Sequence, residues 1–123
     1  MSHLSRGKLA NVAQVAAGST SAVVTVDGNN NVYVKSIIIH DGSNIGSVGV
    51  ANTAHVYFVP NNGGSVGAAA STNRIFNVDV AARETVLLEP SYPLVLTSTN
   101  DTIQVGNAGA GVFNVLVTGD KEG

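Results

Sequence analysis

The sequence predicts an all-β chain, a two-sheet antiparallel β-sandwich or jelly roll of about nine strands. Three observations carry this. Short runs rich in Val, Ile and Thr recur along the 123 residues, separated by clusters of Gly and Asn and by Asp-Gly pairs at 27–28 and 41–42. Several runs alternate apolar and polar residues, as a strand with one buried face must. No stretch has the spacing of an amphipathic helix; the Ala-rich piece at 68–70 lies between Gly67 and Ser71 and reads as loop.

Leu9 to Val15 opens the series, and Ser21 to Val26 follows after an Ala-Gly-Ser-Thr break. Asp27-Gly28 then turns the chain, because both residues accept the positive φ of tight turns, and three Asn residues extend the loop. The run Val32 to His40, VYVKSIIIH, does not alternate cleanly. It predicts a strand covered on both faces, either as a buried central strand or with the core on one side and a neighbouring subunit on the other. A loop through Gly46 and Gly49 leads to Thr53 to Val59, which Pro60 stops because proline cannot donate to a ladder.

Asn61 to Asn73, NNGGSVGAAASTN, is low in complexity and predicts a long flexible loop. Arg74 to Val80 alternates, with Phe76, Val78 and Val80 on the core side. Glu84 to Glu89 carries Val86 and Leu88 on one face, and Pro90 and Pro93 bracket a turn at Ser91-Tyr92. Leu94 to Thr97, Asp101 to Val105 and Val112 to Thr118 complete the count, with Ile103, Val105, Phe113, Val115 and Val117 inward. Residues 1–8 stand as an arm in front of a single domain, 9–123.

Composition bounds the partners. Charged residues make up 11% of the chain, against a usual share of about 25%. Asn, Ser, Thr and Gly therefore supply the surface polarity, and such a surface repels other copies little. Net charge is −2 and the six Lys and Arg residues are scattered, so no basic stripe awaits nucleic acid. With no Cys there is neither a disulfide framework nor a thiolate metal site. The N-terminus lacks an apolar signal-peptide region and no run has the length of a membrane span, so synthesis in a host cytoplasm without a membrane partner is expected.

A search for chemistry yields no catalytic, cofactor or metal residues. His3, His40 and His55 lack metal-ligand spacing, and His40 and Asp41, as neighbours on a strand, point to opposite faces. No Ser, His and acid constellation stands out, and Glu84 and Glu89 flank one strand at opposite parity, too separated for a glycosidase dyad. Gly106 to Gly111 lacks the Lys and Ser/Thr of a phosphate loop and reads as a turn. There is no Trp; Tyr33, Tyr57 and Tyr92 are the aromatic rings left for a carbohydrate platform.

Four segments carry a resemblance: VYVKSIIIHDGSN, HVYFVPNNGGS, NRIFNVDVAARETVLLEPSYPLVLTSTNDTIQV and VFNVLVTGD. Over roughly residues 32 to 119 the chain resembles small phage virion structural proteins, which share a V-Y-x-V-P-N-x-G loop, an A-x-E-T turn, an L-x-x-x-D-x-I-Q stretch and a closing N-V-L-V-x-G strand. Here the third motif is stretched between Leu96 and Asp101. The resemblance implies a head decoration or cement protein of the virion, without catalysis, that binds the major capsid protein on the outside of the phage head and associates with itself, a trimer being favoured. A receptor- or glycan-binding module of a phage tail or fibre is the alternative. The expected contact segments are the arm, with Ser2, His3, Leu4, Ser5, Arg6 and Lys8, and the loop, with Asn61, Asn62, Ser65, Val66, Ser71, Thr72 and Asn73. Both are expected to be disordered until a partner orders them.

Overall fold

The computed structural model describes residues 4–28, 30–41, 51–109 and 111–123. Among them ten strands appear: β1 (Leu4–Lys8), β2 (Ala13–Val15), β3 (Thr20–Thr25), β4 (Asn31–Asp41), β5 (Asn52–Val59), β6 (Arg74–Val80), β7 (Thr85–Leu88), β8 (Leu94–Leu96), β9 (Thr102–Asn107) and β10 (Phe113–Glu122). The sole described helical element is a 3-10 turn, Ser71–Asn73. Every pairing between strands is antiparallel.

One sheet runs β1-β10-β4-β7, with β2 also on β10 and β8 also on β4; the other runs β3-β9-β5-β6. β2 pairs with the start of β10 and β1 with its end, so the two lie end to end along one edge. β7 and β8 do the same along β4, parted by the bend between Pro90 and Pro93. Counting each broken strand once leaves two four-strand sheets between which the chain alternates as in a double Greek key, so the sandwich is a jelly roll.

The core lies between the sheets. Val15, Val34, Ile37, Ile39, Ala54, Val56, Ile103, Val105 and Phe113 are fully buried there, drawn from both sheets at period two. Ile103, Val105, Phe113, Val115 and Val117 are buried as expected; Phe76 and Val78 face the core but stay half-buried, because β6 is a sheet edge. The strand expected over Leu9 to Val15 is regular only from Ala13.

Two expectations are corrected here. The arm is not free, since Leu4–Lys8 is a strand in register with β10, from Leu4 opposite Glu122 to Lys8 opposite Thr118. The loop 61–73 is not loose either; its hydrogen bonds are given below. Ser2, His3 and the loop through Gly46 and Gly49 lie outside the described residues.

The bulge in β4 at Lys35, opposite Thr118 and Gly119 of β10, explains the closing motif. There β10 comes so near β4 that a Cβ on Gly119 would lie 1.9 Å from the Tyr33 carbonyl oxygen. Only glycine fits that approach.

Candidate functional site

Residues 26–28 and 30, loops 60–73 and 97–101, β1 and the C-terminal part of β10 lie toward one end of the sandwich, and several of these elements are tied to one another. Lys121 Nζ reaches Asp27 Oδ1 at 3.1 Å and Asn30 Nδ2 donates to the same oxygen at 3.0 Å. Both contacts hold the exposed Asp27 carboxyl below its usual pKa, the Lys121 bond being the larger cause. The Thr99 hydroxyl donates to the Gly28 carbonyl. Asn100, in the left-handed region at φ 70°, donates to the Gly64 carbonyl at 2.7 Å. The two expected contact segments, Leu4 to Lys8 and Asn61 to Asn73, therefore stand at the same end.

Asp101 organises this end. It is 8% exposed and accepts from the Asn61 backbone N–H at 2.9 Å, from Asn61 Nδ2 at 3.0 Å and from the Ser98 N–H at 3.1 Å. Burial is the largest single influence on its carboxyl and raises the pKa. The hydrogen bonds from Asn61, first from its backbone and then its side chain, and from Ser98 and Thr97 outweigh it together, so the pKa lies below the ordinary value. Asn61 is the Asn of the V-P-N-x-G motif and Asp101 ends the stretched L-to-D spacing; the two motifs meet here.

From Asn61 the loop crosses the outer face of the β3-β9-β5-β6 sheet. Asn62 and Ser65 bond each other's backbone, Gln104 Nε2 donates to the Gly67 carbonyl at 3.0 Å, and Asn73 binds Ala70 N–H and the Ala68 carbonyl. A Cβ at Gly67 would meet the Pro60 carbonyl oxygen at 2.5 Å and Val59 Cγ1 at 2.9 Å, so the backbone lies directly on β5. The loop seals Val59, Thr102 and Gln104, which point away from the core and are nevertheless buried. Asn61 and Asn73 are thus spent within the fold, while Asn62, Ser65, Val66, Ser71 and Thr72 remain exposed.

The outer face of the other sheet has no such cover among the described residues. Leu116, Ile38 and Leu87 stand side by side across β10, β4 and β7, all on the side away from the core. Leu87 is 54% exposed; Val12, which immediately precedes the β2 residue paired with Val115, is 59% exposed. The apolar row is framed by polar pairs. His40 Nδ1 meets Thr85 Oγ1 at 2.8 Å on one side, and the Ser36 and Thr118 hydroxyls bond each other on the other. The missing alternation in VYVKSIIIH was the row's one signal in the sequence, because only pairing shows that Ile38, Leu116 and Leu87 fall in register.

The remaining motifs resolve into turn chemistry. Glu84 closes the A-x-E-T turn, its carboxylate accepting from Ala81 N–H at 3.1 Å, with Arg83 at φ 64°. Asn107 Nδ2 donates to the Val15 and Gly111 carbonyls and its Oδ1 accepts from Gly109 N–H, so this segment is a braced turn. Gly63 to Gly67 matches the letters of a G-x-S-x-G string, yet Ser65 sits in the small bridge with Asn62 and the short 3-10 turn Ser71–Asn73 follows where a nucleophile elbow would start an α-helix. Among the described residues no three His, Asp or Glu side chains are grouped to hold a metal ion. Tyr92, in the turn between the prolines, is 84% exposed.

No family model matches the chain, and no curated protein matches it. Among solved structures it is similar to a chain in "Structure of infectious bursal disease virus Gx strain", at 14% identity and a TM-score of 0.37. The similarity covers 98% of this chain and 32% of that one, so the chain spans about a third of its length. The jelly-roll assignment stands on the strand order itself.

Proposed function

We propose that this chain is a non-enzymatic structural protein of a phage virion, a decoration or cement protein that binds the major capsid protein on the outside of the assembled head and stabilises the shell. The observation that carries the reading is the asymmetry of the two outer faces among the described residues: the chain's own loop lies over one, and on the other Leu87 is exposed beside the half-buried Ile38 and Leu116. A sheet face of this kind is a docking surface for protein. The resemblance of residues 32–119 to phage virion proteins, the scarcity of charge and the jelly-roll order, an architecture that capsid domains share, support the virion setting. Because many subunits bind one shell, modest contacts per subunit stabilise it by mass action.

Tyr92 favours a second reading, a glycan- or receptor-binding module of a tail or fibre, since a ring so exposed on a turn can stack on a sugar and jelly rolls also host lectins. Imaging purified particles with the chain labelled separates the two. Label in regular array on heads supports decoration; label confined to tails supports the alternative and overturns the first.

A further inference from the structure

Among its described residues, 5–8, β1 is held on β10 chiefly by backbone. Ser5, Arg6, Gly7 and Lys8 are all exposed and none joins the core. The Arg6 side chain lies 3.6 Å from Asp120, but Asp120 also pairs with Lys35 at 2.6 Å and keeps that cation if Arg6 departs. Lys8 Nζ turns back to Asn11 at 2.8 Å. Between the pairs Lys8 with Thr118 and Ala13 with Val115, residues 9–12 stand opposite Leu116 and Val117 alone, so the connector bulges out of the ladder. The bond from Leu9 N–H to the Val117 carbonyl at 2.9 Å bridges it, while Val12 projects to solvent.

We propose that β1 exchanges between copies: Leu4–Lys8 of one chain pairs with the Thr118–Glu122 edge of β10 in the next, and the connector 9–12 straightens to reach it. The pairings of the closed chain recur in the exchanged one, so release of the bulged connector and protein concentration decide between the two forms. Among the described side chains of residues 5–12, only Leu9, half-buried against the core, has to shift with the connector. An empty β10 edge is a strand template, and a second copy carries the strand already matched to it in register, glycine position and charge. Donor strand and acceptor edge are different surfaces, so exchange can be reciprocal in a two-fold dimer or run head-to-tail in a closed ring such as a trimer. The inference concerns self-association alone and requires no head.

The test uses the absence of native cysteine. Ser5→Cys and Lys121→Cys chains, whose positions are opposite in the β1 ladder, are mixed equally, unfolded, refolded together and treated with a short bis-maleimide. Exchange predicts a covalent dimer joining about half of the Ser5→Cys chains, since the copy that accepts each strand is drawn at random from the mixture. A Gln14→Cys and Asn114→Cys mixture, across the β2 ladder beyond the connector, should give at least fivefold less dimer. Circular dichroism of each variant checks folding, and the double variant Ser5→Cys with Lys121→Cys in one chain should give linked oligomers. Monomeric intrachain product from that double variant, with no more dimer from the first mixture than from the second, overturns the proposal.

Discussion

Replacing Gly119 by Ala tests whether the bulge that joins β10 to β4 is a steric necessity. The added Cβ would lie 1.9 Å from the Tyr33 carbonyl oxygen, 3.0 Å from the Tyr33 carbonyl carbon and 3.1 Å from the Lys35 nitrogen, all backbone atoms that no rotamer change can remove. Relief requires the strands to part by more than about 1 Å, which carries ladder bonds beyond the usual limit of about 3.2 Å. The pairs beyond the bulge, Gly119 with Val34 through Glu122 with Asn31, are the ones at risk. Three or four bonds at roughly 1 kcal/mol each, less about 0.5 kcal/mol from the stiffer unfolded chain, leave a loss of about 3 kcal/mol. For a domain of this size that lowers Tm by on the order of 10 °C. Urea unfolding followed by circular dichroism measures it, with Gly63→Ala as control; Gly63 has φ 60° with open space around it, so only backbone strain of about 1 kcal/mol applies there. A Gly119→Ala loss no greater than the control's would refute the steric argument.

Further outcomes follow from the site. Asp101→Ala releases Asn61 and Ser98, and should cost about 2 kcal/mol while exposing residues 61–73 to limited proteolysis; an unchanged cleavage rate would count against the pinning of the loop. Because the folded pKa of Asp101 lies below its unfolded value near 3.8, its contribution is full above that value and is lost as pH falls through the folded pKa, so Asp101→Asn should flatten the acid limb of stability between pH 5 and 2. His55 behaves differently: burial first, and then Arg74, lower its pKa, so the fold favours the neutral ring and loses stability as pH falls below 6.5. Urea midpoints at pH 7.5 and 5 should differ less in His55→Gln than in the native chain. Leu87→Ser, on the outer face of the β1-β10-β4-β7 sheet, should change stability by less than about 0.5 kcal/mol yet weaken association with heads; retained occupancy would remove that face from the account.

The fold was legible because its determinants are local. Phe113, Val115 and Val117 alternate with Asn114, Leu116 and Thr118, and that pattern alone places the former in the core. The interruption at residues 9–12 and the pairing of Leu4–Lys8 were hidden, because an edge strand made of Ser, Arg, Gly and Lys buries nothing and leaves no hydrophobic pattern. Loop 61–73 misled for a related reason. Its order comes from Asp101, Asn100 and Gln104, which are distant in sequence and supply side-chain hydrogen bonds rather than an apolar pattern. The apolar row was half legible: VYVKSIIIH announced two apolar faces on β4, but the register that aligns Ile38 with Leu116 and Leu87 is a tertiary fact.

Shell stabilisation is the claim on which the functional account depends. Heads purified without this chain are incubated with the native protein or with Leu87→Ser, washed, counted for bound copies, and heated while release of their contents is followed. The account predicts saturable binding of the native chain at a fixed number of copies per head and a higher temperature of head disruption, with both effects reduced for Leu87→Ser. Native protein that leaves heads undecorated, or decorates them without raising that temperature, would contradict it.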